Sequence, residues 1–439
     1  MLNNARLGHY SSVLNSFNDL EQIGRVTKIV GLTIESQGPA ANVGEVCAIS
    51  THDGSEIYGE VVGFRDQTII LMPLSDMTGI GPGCFVRSLG HPLRVGVGPK
   101  LLGRVLDAFG NPIDGLGPIE FEEYRPLTNS TVQPLERQMI REPLSVGVRA
   151  IDGLLTAGKG QRLGIFAGSG VGKSTLLGMM ARNTTAEINV IGLIGERGRE
   201  VREFIEKDLG PEGLARSVVV VATSDQLAMV RLNGALTATT IAEYFRDCGR
   251  DVLFMMDSVT RYAMAQREVG LASGEPPATR GYTPSVFANL PKLLERTGPG
   301  KNGTITAFYT VLVDGDDHNE PIADAVRSIL DGHIVLSRKL AQLQHYPAID
   351  VLASVSRVMT DVVDSRHLEL AGLFKARLAT YREAEDLINI GAYSQGANPR
   401  IDDAIHHIDR INQYLQQPAD KGSSWEEALE MLQYAMESR

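Results

Sequence analysis

Apolar and polar positions follow three different periods along the 439 residues of this chain. Over residues 1–22, Tyr10, Val13, Leu14, Phe17 and Leu20 recur at steps of three and four, which predicts an amphipathic helix on a polar arm. Such a stripe either packs on the chain's own domain or docks on another protein. From about 24 to 95 the period shortens to the runs RVTKIVGLTIES, EVCAIS, EIYGEVVGF, TIILMPL and CFVRSL, bounded by Gly, Asp, Asn or Pro. Short strands so closely spaced predict a small β-barrel. The turn-rich GVGPKLLGRVLDAFGNPIDGLGPI then reads as a connector.

From about 145 to 345, unbroken apolar runs (RLGIFA, INVIGLIG, SVVVVAT, VLFMMDS, TITAFYTVL) alternate with segments of helical spacing. Unbroken runs belong to strands covered on both faces, so this region is expected to be α/β, a mostly parallel sheet between helices. The last 80 or so residues, from HLELAGLFKARLATYREAEDLI onward, read as helical.

Composition narrows the function. A net charge of −11 argues against a general nucleic-acid binder, which needs a basic face. Cys47, Cys84 and Cys248 show no metal or CxxC spacing and are expected to be buried thiols. With no charged-then-apolar leader and no run of about 18 apolar residues, the chain reads as cytoplasmic.

Three segments carry chemistry. GIFAGSGVGKSTLLGMMARNT is strand, glycine loop and helix in order, the context of a phosphate-binding P-loop. Ala167, Gly168, Ser169, Gly170, Val171, Gly172, Lys173, Ser174 and Thr175 form the expected nucleotide-binding loop, with Lys173 as point charge and Ser174 as Mg²⁺ ligand. The motif's first glycine is replaced by Ala167. Asp257 ends an apolar strand 84 positions beyond Lys173 and suits the Mg²⁺ carboxylate of such a site. In IGLIGERGREV, Glu196 at a strand's carboxyl end is either a water-polarising carboxylate or part of a solvated charge cluster.

With GLIGERGREVREFIEKDLGPEGLARSVVVVATSD, VLFMMDSVTRYAMAQREVGLASGEPPATRGYTPSVFANLPKLLERTG and HYPAIDVLASVSRVM added, the sequence resembles the export ATPases of type III secretion, most closely the flagellum-specific branch. These are relatives of the rotary ATP synthase β subunit. The resemblance implies an N-terminal arm (1–23), a β-barrel (24–95), a RecA-like P-loop ATPase domain (96–345) and a C-terminal helical domain (346–439). It implies an Mg²⁺-dependent ATP hydrolase acting as a homohexamer with sites at subunit interfaces. Carried over by residue, Glu196 is the catalytic carboxylate, and Arg197 and Arg261 are arginines near the phosphates. Arg357 is the finger given to a neighbour's site, and Tyr346 stacks on adenine. The alternatives weighed beside these roles are a structural ion-pair partner for Arg357 and, with more weight, a packed core aromatic for Tyr346.

Partners implied in the same way are a stator-like export regulator at the arm, a central stalk protein, the export gate and chaperone–cargo complexes. The location implied is the inner face of the membrane at the flagellar base, with no specific nucleic acid. Arg280 and Tyr282, in GEPPATRGYTPSV, resemble the segment facing the ring's pore. Two departures separate the chain from a rotary β subunit: Ala419 in YLQQPAD replaces an adenine-wall Phe, and the acidic DELSEED stretch is missing. Remaining alternatives are an injectisome ATPase, a rotary synthase subunit and a Rho-like RNA translocase. The last is disfavoured because residues 25–95 hold two Phe, one Tyr and no basic cluster.

Overall fold

The short alternating runs close on themselves. In this computed structural model, which describes residues 22–129, 131–313 and 320–437, strands β1 (Ile23–Val30), β2 (Thr33–Gln37), β3 (Glu45–Ser50), β4 (Glu56–Arg65), β5 (Thr68–Pro73) and β6 (Phe85–Pro92) form a closed barrel in the order β1-β2-β5-β4-β3-β6. Every pairing in it is antiparallel. Closure removes the edge strands that an open sheet would expose. Alternate residues point inward, and Val26, Ile34, Ile49, Val61, Leu71 and Val86 fill the interior. The helical stripe at Tyr10, Val13, Leu14, Phe17 and Leu20 lies outside the described residues.

Residues 94–271 and 275–439 make a second unit around one large sheet. Its strands are β7 (Val105–Leu106), β8 (Arg162–Ala167), β9 (Ile188–Glu196), β10 (Ser217–Thr223), β11 (Asp251–Asp257), β12 (Thr304–Leu312), β13 (Gly332–Leu336) and β14 (Val355–Ser356). They are ordered β14-β13-β8-β12-β11-β9-β10-β7, with Gly298–Pro299 added beside β12. All pairings along this order are parallel except β13 with β14. The register sets Ala167 beside Leu312 and Leu193 beside Asp257, so the carboxyl ends of β8, β9 and β11 open on one edge. Helices α1 (Lys173–Asn183), α2 (Ala228–Asp247) and α3 (Val259–Ala272) follow β8, β10 and β11.

The tail is helical, as its spacing predicts: α4 (Ser365–Asn389), α5 (Pro399–Leu415) and α6 (Trp425–Met436). It is not a separate core. Leu370, Phe374, Tyr414 and Leu432 join the same buried cluster as Leu163, Met255 and Ile334 of the sheet. The three helices, of 25, 17 and 12 residues, bury their apolar faces against the sheet unit as well as against one another. Two thiols are buried as expected, but Cys248, one residue past α2, is exposed. Tyr282 is also unlike its expected pore-facing place: it is 4% exposed, with Arg267 over its ring. Arg280 is exposed, at φ 50°.

A buried ion pair ties the sheet unit together. Arg296 grips Glu243 of α2 through Nε (2.8 Å) and Nη2 (2.7 Å), and also donates to the Leu127 carbonyl (2.7 Å). Both side chains are under 5% exposed. Arg296→Ala would strand the Glu243 carboxylate in the interior, with an expected loss of about 3–5 kcal/mol. Replacing both residues by Met should restore most of it. Urea titration of the two variants checks this, and equal losses in both would contradict it.

Candidate active site

The site begins where β8 ends. Gly170 and Gly172 have φ of 74° and 86°, left-handed values that a side chain resists, and they wrap the chain into a loop that delivers Lys173 as the first residue of α1. β9 ends in a second irregularity. Gly195 has φ 74°, its register against β10 shifts there, and an added Cβ would lie 2.6 Å from Cβ of Arg261. This kink turns Glu196 out of an otherwise fully buried strand toward the loop. Asp257, at the end of β11, is 3% exposed and accepts a bond from Thr310 of β12 at 2.7 Å.

These three strand ends meet at one ammonium. Lys173 Nζ donates to Glu196 Oε1 at 3.1 Å and also to Asp257 Oδ1. Burial works against the lysine's charge, but the two carboxylates outweigh it and hold its pKa above the ordinary value. Glu196 moves up, from 4.5 to about 7, because of burial first and the Asp257 charge second, with Lys173 opposing. A hydrogen bond with Glu200 adds to that rise, and the same bond lowers Glu200.

Around the cluster lies a cleft of about 360 Å³, lined by Ala167, Gly168, Ser169, Gly170, Gly172, Lys173, Ser174, Thr175, Glu196, Arg197 and Arg261, with Gly195, Glu200, Ser224 and Leu312. The expected nucleotide-loop residues thus come together, except that the Val171 side chain is 2% exposed and packs in the core. Arg197 stands at the rim, 75% exposed and 3.1 Å from Glu200. Arg261 is half-buried, and its Nε is buried with no partner among the described residues. Tyr346, 39% exposed, lies outside the cleft lining but directly over the loop, its ring carbons 3.5 Å from where a Gly172 Cβ would stand.

Arg357 is not brought in. It follows β14, its backbone N–H bonds the Asp331 carbonyl at 3.0 Å, and its exposed guanidinium has no partner among the described residues. Glu200 and Thr310 were not singled out by sequence reasoning. The four-residue spacing in GERGRE points to Glu200, whereas nothing local marks Thr310. A larger recess, about 1230 Å³, lies on the barrel beside Asn42, Glu45, Phe64 and Arg87. No lysine is among its lining residues, and the chemistry is at the sheet edge.

The residues fit a magnesium nucleotide. No group of three or more His, Cys, Asp or Glu among the described residues could hold a metal alone. A hydroxyl at Ser174 and a carboxylate at Asp257, completed by phosphate oxygens and water, make the ligand set that Mg²⁺ prefers. Arg261, whose buried Nε has no partner among the described residues, is one of the residues that line the same cleft.

Comparison with known proteins agrees with this geometry. Residues 147–356 match the nucleotide-binding domain of the ATP synthase alpha/beta family, residues 26–90 the β-barrel domain of that family, and residues 363–434 the T3SS EscN ATPase C-terminal domain. The chain is 58% identical to the flagellum-specific ATP synthase of Bacillus subtilis, over 94% of each chain. It is 53% identical to the type 3 secretion system ATPase of Xanthomonas euvesicatoria, over 93% of each. It matches the assembled ATPase EscN in complex with its central stalk EscO, from enteropathogenic E. coli, with a TM-score of 0.88 and 48% identity, over 94% of this chain and 100% of that one.

The raised Glu196 carboxyl makes a prediction of definite sign. Folding strengthens its hold on a proton, so the stability it contributes is fully present below about 4.5 and lost as pH rises through about 7. Glu196→Gln should therefore raise the melting temperature of the nucleotide-free protein, most at pH 8 and progressively less toward pH 5. Calorimetry over that range checks it, and a gain independent of pH would refute the assignment.

Proposed function

The chain belongs to the ATP synthase alpha/beta family, in its branch of flagellum-specific and type III secretion ATPases, and we propose that this ATPase of type III export hydrolyses Mg²⁺-ATP to drive flagellar protein export. The observation that carries the chemical reading is the Lys173 ammonium held between Glu196 and Asp257 beneath a glycine loop. Phosphate oxygens would draw Lys173 away from the carboxylates. Glu196 is then free to accept a proton from the attacking water and orient it, a task suited to a carboxyl poised near pH 7. Arg261 and Arg197, both lining the cleft, would turn their guanidinium groups toward phosphate charge. Ser174 and Asp257 would hold Mg²⁺, which when bound neutralises charge on the phosphates. Tyr346 offers its face to the adenine base.

Arg357 is read as a finger for the adjoining subunit, because the cleft of its own chain lies elsewhere. The active form is accordingly a ring, proposed to be a homohexamer. The EscN–EscO complex supports a stalk partner in the ring. The N-terminal arm is proposed to bind a stator-like regulator, and the ring to receive chaperone–cargo complexes at the export gate. No helix among the described residues is long and apolar enough to cross a membrane, which suits a peripheral site on the cytoplasmic side. An injectisome ATPase is the second reading, favoured by the 53% identity to the Xanthomonas enzyme.

Removing the finger should leave nucleotide binding intact and lower turnover by about 10³–10⁵-fold. Arg357→Ala assayed for both quantities tests this, together with wild-type specific activity, which should climb steeply with protein concentration. Activity independent of concentration would refute a shared site. A deletion strain scored for motility and for secreted hook and filament proteins decides between the two export systems. Loss restored by wild type but not by Glu196→Gln is the expected result, and normal flagella in the deletion strain would remove the flagellar assignment.

A further inference from the structure

The loop joining α5 to α6 does more than connect two helices. Gln417, 4% exposed, lies at its start. Its backbone N–H donates to the Tyr346 carbonyl at 2.9 Å. Its side-chain amide is held at both ends: Oε1 accepts from the Arg149 N–H at 2.9 Å, while Nε2 donates to the carbonyls of Gly147 and Lys421, each at 2.8 Å. Two residues on, the Ala419 carbonyl accepts from Arg182, near the end of α1, at 2.6 Å. One short loop is thus pinned to the segment before the P-loop strand, to the P-loop helix and to the backbone of Tyr346.

We propose that Gln417, with Arg182 as second anchor, is a positioning residue that holds the Tyr346 ring over the phosphate loop and thereby sets how tightly the nucleotide base is bound. This inference rests on the reading of Tyr346 as the base-stacking residue. Tyr346 lies outside regular structure, two residues after Gln344 at φ 58°, so its ring is placed by what holds its backbone. Ala419 offers no ring of its own, which leaves Tyr346 as the aromatic face over the loop. Base–aromatic stacking changes affinity substantially, so misplacing that face by releasing the loop should be measurable. The phosphate-binding groups are reached by neither Gln417 nor Arg182 and should be spared.

That difference supplies the test. ADP and inorganic tripolyphosphate, each with Mg²⁺, are titrated calorimetrically into full-length wild type, Gln417→Ala and Arg182→Ala. Both variants should weaken ADP by about tenfold and leave tripolyphosphate within about twofold. In turnover, KM for ATP should rise with kcat retained. Arg182→Ala removes an anchor at the margin of the loop and keeps the test decisive if Gln417→Ala does not fold. Equal weakening of both ligands would mean a general structural effect and overturn the proposal, as would unchanged ADP binding. Tyr346→Ala separates the layers: unchanged ADP binding there removes the stacking reading itself. Weakened binding there, with both anchor variants behaving as wild type, removes only the positioning role.

Discussion

A buried ammonium with two carboxylate partners is the interaction around which the sheet edge is organised. A lone lysine in that position would lose its charge, and the carboxylates beside it supply the opposite charge that keeps it. Lys173 keeps its proton because Asp257 and Glu196 face it, and Glu196 is the strained member, lifted toward neutral pH by burial and by Asp257. The cluster is therefore poised. In the proposed mechanism a polyanion entering the cleft supplies a better partner for the lysine and leaves Glu196 with the surplus charge that proton abstraction needs. Thr310 hydrogen-bonds the Asp257 carboxylate and Glu200 that of Glu196.

Parallel strands make such a cluster buildable. Their carboxyl ends fall on one edge, so residues far apart in sequence, 173, 196 and 257, reach one point without long loops. The sheet interior is mostly apolar, with polar exceptions such as Asn189 and Thr310 hydrogen-bonded in place, which keeps those ends fixed. The C-terminal helices belong to the same construction. Phe374 and Tyr414 stack edge to face at 5.3 Å within the shared core, and the Tyr414 hydroxyl reaches the Arg149 carbonyl at 2.9 Å. The helical tail is thereby joined to the segment leading into the P-loop strand.

What the sequence disclosed followed local spacing. The barrel was legible because five strand-length runs with turn residues between them leave few alternatives, and the P-loop because strand, glycines and Lys-Ser occur contiguously. Asp257 was legible as an acid ending an apolar run. Contacts between distant residues were not. Nothing near Gln417 or Arg296 in the chain announces that one anchors Tyr346 and the other Glu243, since those pairings exist only after the sheet has formed. Side-chain burial was misjudged for a related reason. Cys248 was assigned to the interior by residue type, but it follows the last turn of α2 where the chain leaves the core. Tyr282 was assigned to a pore by motif, but it packs beneath Arg267. The tail's helices were legible, whereas their fusion with the sheet core was not, because amphipathic spacing says that a face is buried and not against what.

The position of Arg357 separates it from the cleft of its own chain on purely topological grounds. β14 runs antiparallel to β13, with Ser356 opposite Gly332, the first residue of that strand. Asp331, which binds the Arg357 backbone, also donates its N–H to the Arg162 carbonyl at the start of β8. Arg357 therefore sits at the amino end of the strand whose carboxyl end leads into the P-loop. Six residues of β8 separate the two, roughly 20 Å of extended chain. An arginine side chain fixed at that end does not span this distance, and no hinge within a packed sheet would shorten it. If Arg357 acts on phosphate at all, it acts on the phosphate of another copy. Each chain thus carries its cleft at one end of the sheet and Arg357 at the other, the separation on which the proposed ring of copies depends.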